Sequence, residues 1–166
     1  NRGNMKVLIL EDEQLAAEAL SSMLQNLVEA EVVGMIPSIE AGRQWFQENE
    51  LPELILSDIR LQDGISFQLF QELEIKVPII FVTAYDHYAI KAFEVNSIDY
   101  LLKPISFERF LQAVNKVNNY YIHKTENEVL FIKSQKQLKK INLNDILFAE
   151  AMQNYIKIVT EKALRF

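Results

Sequence analysis

Five apolar runs without polar alternation, each followed by a stretch of different periodicity, restrict the possible folds of this chain most. They lie at residues 6–10, 31–35, 54–57, 78–83 and 98–102. Strands buried on both faces read this way, because a sheet covered on each side has no solvent-facing register to fill with polar residues. Between them, apolar residues recur at helical spacing. Leu15, Ala16, Ala19, Leu20, Met23, Leu24 and Leu27 define one expected helical face; Ala41, Trp45 and Phe46 define a second, opened by Pro37-Ser38 with Ser38 as N-cap. Ser66 is expected to cap a third helix carrying Phe67, Phe70 and Leu73, and a short helix is expected at residues 89–93. The last runs over 106–121 with Phe107, Phe110, Leu111, Val114 and Val117 on one stripe. Strands alternating with helices predict an α/β fold with a doubly wound, five-stranded parallel sheet.

Four of the five strands end on a side chain with chemistry. Glu11-Asp12 follows Val7-Leu8-Ile9-Leu10, Asp58 follows Leu54-Ile55-Leu56-Ser57, Thr83 follows Ile79-Ile80-Phe81-Val82, and Lys103 follows Tyr100-Leu101-Leu102. Open parallel sheets bind ligands outside the carboxyl ends of their strands, so these groups are expected to converge on one sheet edge. Taken singly each has an ordinary explanation: strand-end acids are commonly solvated, Lys103 fits a surface lysine, Thr83 a strand end and Tyr100 core packing. Their joint order sets them apart. Two carboxylates ~4 Å apart repel by roughly 4 kcal/mol at an effective dielectric near 20, so three clustered acids hold protons or bind a cation. Magnesium suits them through its preference for hard oxygen ligands. With a cation present, an aspartate oxygen can attack phosphorus while Lys103 adds positive charge and the Thr83 hydroxyl donates to a phosphoryl oxygen.

This constellation resembles the receiver domain of two-component response regulators, over residues 6 to about 121. The resemblance implies a flavodoxin-like receiver fold with Asp58 as phosphoacceptor, supplied by a histidine of a sensor kinase. It implies Mg2+ held by Glu11, Asp12, Asp58 and the backbone carbonyl of Arg60. Thr83 and Tyr100 take the part of the switch residues, and Lys103–Pro104 that of a cis peptide. Gln62 departs from the family, where many members have proline. A haloacid dehalogenase-type hydrolase wants a second acid two residues after its nucleophile, where this chain has Arg60. A flavin or nucleotide binder wants a glycine-rich loop after the first strand, where this chain has Glu11-Asp12-Glu13-Gln14. The remaining alternative is a receiver that serves protein interaction without phosphorylation. Enzymatic turnover is not expected beyond Mg-dependent self-phosphorylation and autodephosphorylation.

Charge divides the chain. Residues 1–121 carry 9 Lys+Arg against 18 Asp+Glu, a net −9, whereas residues 122–166 carry 8 against 5, a net +3. The acidic part is a poor nucleic-acid binder and the basic part a possible one. A receiver at 5–121, a polar linker at 122–127 and a β-rich module at 128–166 are expected. The module resembles the opening of a LytTR-type DNA-binding domain in Phe131-Ile132-Lys133, in Leu143-Asn144-Asp145-Ile146-Leu147-Phe148-Ala149-Glu150-Ala151 and in Asn154-Tyr155-Ile156-Lys157-Ile158. Receivers that precede such domains also resemble this one at Thr83-Ala84-Tyr85-Asp86 and in residues 93–100. The whole therefore resembles a transcriptional regulator of the LytR/AlgR type, homodimeric on phosphorylation. The module reads as truncated, so DNA binding is expected of the full-length protein and specific promoter binding is not expected of this stretch. Lys133, Lys136, Lys139 and Lys140 fit phosphate contacts or a solvated basic hairpin equally.

Other classes recede. There is no cysteine, and His87 and His123 have no second histidine at helical spacing, which leaves no basis for a zinc site. No run of about 18 apolar residues spans a membrane and no secretory signal opens the chain, so a cytoplasmic location is expected. Asn1-Arg2-Gly3-Asn4 receive no function, and Tyr120-Tyr121 are expected to end the last helix.

Overall fold

The structure is a computed structural model; it describes residues 4–27, 29–127, 129–134, 137–153 and 156–160. The chain divides into two compact units, residues 1–117 and 118–166. In the first, β1 (Met5–Leu10), β2 (Ala30–Ile36), β3 (Leu54–Ser57), β4 (Ile79–Thr83) and β5 (Ser97–Leu102) form one parallel sheet in the order β2-β1-β3-β4-β5. The helices between them are α1 (Gln14–Leu27), α2 (Ile39–Glu48), α3 (Ser66–Glu72) and α4 (Ala89–Ala92), and α5 (Phe107–Asn127) follows β5. This is the expected doubly wound sheet, with the reversal of strand order at β1 and β3. β3 and β4 are buried at every position, and β1 is buried from Val7 to Leu10, which is why none of the three alternates in sequence.

The helical faces differ from those expected. On α1 the buried residues are Ala17, Leu20 and Leu24, while Leu15 is 82% exposed. At 3.6 residues per turn Leu15 lies opposite Ala17, so the expected face had merged two sides of an alanine-rich helix. Similarly, α5 buries Phe110, Ala113, Val114 and Val117, and leaves Phe107 and Leu111 partly exposed on a flank. Ser38 does cap α2, accepting from Ala41 N at 3.1 Å. Ser66 does not cap α3: Ile65 is the N-cap residue, and the Ser66 hydroxyl turns to the Asp58 carbonyl instead.

The segment 122–127, expected as a polar linker, is helical and continues α5. It contains neither proline nor glycine, and extending an existing helix adds one hydrogen bond per residue fixed. In the second unit, β6 (Val129–Ser134) pairs antiparallel with β7 (Gln137–Asn142), and β8 (Ile146–Ala151) with β9 (Ile156–Thr160). The side chains of Lys133, Lys139 and Lys140 and the placement of Lys136, Asn154 and Tyr155 lie outside the described residues.

Candidate functional site

β1, β3, β4 and β5 deliver the expected groups to one end of the sheet. Leu10 pairs with Ser57, Ser57 with Phe81, and Thr83 with Leu102, so Glu11, Asp58 and Lys103 each stand one residue beyond a register-matched strand end. Backbone bonds fix these exits: Asp58 N donates to Leu10 O at 2.8 Å, Glu11 N to Ile36 O at 2.9 Å, and Lys103 N to Thr83 O at 2.8 Å. The Lys103–Pro104 peptide is cis.

One ammonium group bridges two acids there. Lys103 Nζ donates to Glu11 Oε2 at 2.9 Å and to Asp58 Oδ2 at 3.0 Å. Carboxylate oxygens of Glu11, Asp12 and Asp58 lie within 4.8 Å of one another. Glu11 and Asp58 are buried, whereas Asp12 is exposed at the mouth. Burial pushes the Glu11 carboxyl above its ordinary range, the Lys103 bond opposes this, and the Asp58 charge adds to it. Burial works against the Lys103 ammonium, yet hydrogen bonds to Glu11 and Asp58 outweigh it and hold the amine above its usual value. The Glu11 shift reports chiefly burial, and the Lys103 shift reports the two acids it faces. Three carboxylates, one open to solvent, are hard oxygen donors of the kind Mg2+ takes while keeping waters.

Asp58 itself is held from four directions. Its Oδ1 accepts from Ile59 N at 2.6 Å and its Oδ2 from Lys103. Its carbonyl accepts from Ser57 Oγ and Ser66 Oγ, both at 2.7 Å. After Asp58 the chain forms a two-residue ladder, Arg60–Leu61 against Gly64–Ile65, around the Asp63-Gly64 turn signal. Gly64 adopts φ +151, and a Cβ there would meet Ile39 Cδ1 at 3.0 Å. Asp63 reaches back to α2, accepting from Ile39 N at 2.7 Å and Glu40 N at 3.1 Å. Gln62 N donates to Pro37 O at 3.4 Å, so the residue that departs from the family pattern is tied through its backbone.

Thr83 is fully buried, and its hydroxyl accepts from Tyr85 N at 3.3 Å. The Tyr100 hydroxyl donates to the Tyr85 carbonyl. The Arg60 guanidinium lies 4.3 Å from the centroid of the Tyr85 ring, a cation–π distance, while its backbone starts the two-residue ladder. Tyr85 therefore touches Thr83, Tyr100 and Arg60 at once. Nothing in its sequence position signals this, because two of the contacts are made by its backbone. Ser57 and Ser66 escape sequence reasoning for another reason: their hydroxyls bond a main-chain carbonyl, and serine beside a strand or helix end reads as an ordinary cap. His87 is exposed and packs on Tyr88 with ring centroids 4.2 Å apart. Among the described residues the Glu11, Asp12 and Asp58 cluster is the one group able to hold a metal ion.

Residues 7–115 match the family described as the response regulator receiver domain. The sensory transduction protein LytT of Bacillus anthracis is 38% identical over 115 residues, covering 68% of this chain and 46% of that protein. LytT of Oceanobacillus iheyensis is 35% identical over 164 residues, covering 92% of this chain and 65% of that protein. The chain thus spans from about half to two thirds of the length of these relatives. The response regulatory domain of protein mrkE from Klebsiella pneumoniae is similar with a TM-score of 0.66 at 30% identity, covering 72% of this chain and 99% of that one.

Proposed function

The chain belongs to the response regulator receiver family, akin to the LytT and LytR sensory transduction proteins, and from that premise we propose that Asp58 accepts a phosphoryl group from a sensor histidine kinase. The observation that carries this is the pair of hydrogen bonds from Lys103 Nζ, one to Glu11 and one to Asp58, beside the exposed Asp12. An Asp58 carboxylate oxygen forms the new P–O bond while the P–N bond to the kinase imidazole breaks and the leaving ring nitrogen takes a proton. Catalysis of such a step is chiefly positioning and charge neutralisation, and the chain supplies both. Lys103 pairs with the phosphoryl oxygens, and Thr83 donates its hydroxyl to one of them. Glu11, Asp12, Asp58 and the Arg60 carbonyl would hold Mg2+, which when bound would offset charge on the acceptor and the phosphoryl group.

The output is a population shift. Once Thr83 turns to the phosphoryl group it releases Tyr85 N, and Tyr100 and residues 85–94 repack with it. This segment bears Ile90 and Phe93, 83% and 86% exposed, and continues to Leu102 at the end of β5, 48% exposed. Repacking changes the affinity of that face for a second receiver, giving a homodimer on phosphorylation. Residues 5–121 form the receiver, and 128–166 contribute to a LytTR-type DNA-binding domain whose paired copies engage DNA in the full-length protein. No helix among the described residues is long and apolar enough to cross a membrane, and we place this switch in the cytoplasm.

The test is intact-mass spectrometry after incubation with acetyl phosphate and Mg2+, with peptide mapping of the adduct. One phosphoryl group on the Asp58 peptide is expected, with none in Asp58→Asn. Labelling retained in that variant puts the acceptor elsewhere. Mg2+-dependent binding of beryllium fluoride separates this function from a receiver that is insensitive to phosphate.

A further inference from the structure

The peptide unit joining Asp58 to Ile59 carries a contact at each end that bears on the acceptor. Its carbonyl oxygen takes two hydroxyl donors, Ser57 Oγ and Ser66 Oγ, each at 2.7 Å. Its N–H donates back to the Asp58 side chain, to Oδ1 at 2.6 Å. Both serines have no exposed surface, and Asp58 is 7% exposed, so water does not compete for these bonds. A carbonyl has two lone pairs, and here both are occupied. The plane of this peptide cannot rotate without breaking two buried hydroxyl bonds, and that plane determines whether the Ile59 N–H meets the carboxylate.

We infer that Ser57 and Ser66 are positioning residues for phosphoryl transfer, holding the Asp58 carboxylate in its reactive orientation through the Asp58–Ile59 peptide; this rests on Asp58 being the phosphoacceptor. The arrangement makes the two carboxylate oxygens inequivalent. Oδ1 is tied to the backbone, while Oδ2 faces Lys103. Donation into the carbonyl also polarises the peptide, and a polarised amide is a stronger N–H donor to Oδ1. Ser66 brings a second effect, because it starts α3 and its own N–H donates to Ile59 O at 2.8 Å. The residue that begins the helix therefore grips the carbonyls of Asp58 and of Ile59, just upstream of Arg60. Ser57 acts from the strand side, and the two act on the same oxygen from opposite chain directions.

The experiment uses the full chain with Ser57→Ala and Ser66→Ala separately. Each variant leaves the carbonyl one hydroxyl donor, so both retain the fold; the double variant, which orphans a buried carbonyl, is not needed. Two quantities are read: the initial rate of labelling by acetyl phosphate at saturating Mg2+, and the Ile59 amide proton resonance in the 15N-labelled chain. In the parent that resonance is expected far downfield because of the short bond to Oδ1. In each variant it moves upfield and the labelling rate falls about tenfold, the scale of a sub-ångström loss of alignment. A merely structural serine moves neither at native circular dichroism. Parental labelling rates in both variants overturn the inference, as does a slowed rate with an unmoved Ile59 resonance. A parent chain that takes no label removes the proposed function instead, and the inference falls with it.

Discussion

Lys103 Nζ stands 3.0 Å from Asp58 Oδ2 while donating a second hydrogen to Glu11, so one cation serves two buried acids. Deleting it leaves Glu11 and Asp58 facing each other without a counter-charge. Lys103→Ala is expected to lower stability by about 1–3 kcal/mol at neutral pH, because removing one partner of a buried pair strands the other. Glu11 already has its carboxyl raised by burial, so it takes up a proton readily and the deficit shrinks as pH falls. Mg2+ is expected to raise the urea midpoint of the variant more than that of the parent. Urea denaturation with and without Mg2+ reads both effects. The same variant is expected to weaken the coupling of phosphorylation to dimerisation, and unchanged dimerisation by light scattering counts against that.

Asp99 anchors β5 to α5. Arg109 donates to both its oxygens, at 2.7 and 2.6 Å, and Lys116 Nζ lies 2.9 Å from Oδ2. Burial raises the Asp99 carboxyl, yet Arg109 and Lys116 win and bring it down to about 2 from an ordinary 3.8. A depressed carboxyl stabilises the fold above the unfolded value and loses that stabilisation as pH falls through the folded one. The shift corresponds to about 1–2 kcal/mol after allowance for the solvent around Arg109 and Lys116. Asp99→Asn is therefore expected to be less stable than the parent by that amount near neutral pH, with the gap closing between about pH 4 and pH 2. Urea midpoints of the pair across that range are the measurement; a gap independent of pH removes the ion network from the account.

Gly42 packs α2 against α3. A Cβ at this position would meet Leu69 Cδ2 at 2.6 Å, and Leu69 is fully buried. The leucine would have to shift inside the core, so Gly42→Ala is expected to destabilise by about 1–3 kcal/mol despite the better helix propensity of alanine. Denaturant titration checks it, and a stabilised variant shows that Leu69 can repack.

Sequence revealed the strand ends better than the helix faces, for a physical reason. A strand buried on both sides writes itself as a continuous apolar run, so Ser57 and Thr83 marked their own carboxyl ends, and the groups beside them followed. Helices rich in alanine write their faces weakly. Leu15 reads as core and is exposed, because its stripe is distinguished from that of Ala17, Leu20 and Leu24 only by rotation about α1. Phe107 and Leu111 also read as core and are partly exposed on α5, at the flank of the stripe that Phe110, Ala113, Val114 and Val117 bury. The clustering of Glu11, Asp12, Asp58 and Lys103 was legible because charge at a strand end is conspicuous. The grip on Asp58 by Ser57 and Ser66 was not, since a hydroxyl bonded to a main-chain carbonyl leaves no trace in residue order.

Tyr100 is bonded to Tyr85, two residues beyond Thr83. Its hydroxyl donates to Tyr85 O, while Tyr85 N donates to Thr83 Oγ1 at 3.3 Å and the Tyr85 ring carries Arg60 at 4.3 Å. Tyr100→Phe removes only the first of these bonds, leaving the ring's packing on Phe81, with centroids 6.3 Å apart. None of the groups proposed to touch the phosphoryl group is altered, so labelling of Asp58 by acetyl phosphate is expected to keep its parental rate. The unphosphorylated packing of residues 85–94 loses one bond worth about 1 kcal/mol, which changes the balance of the two packings roughly fivefold. Dimerisation is therefore expected to tighten by up to that factor without phosphate and to respond less to beryllium fluoride, as measured by sedimentation equilibrium. A variant with slowed labelling and parental dimerisation assigns Tyr100 to the chemistry at Asp58 and removes it from the path to the surface.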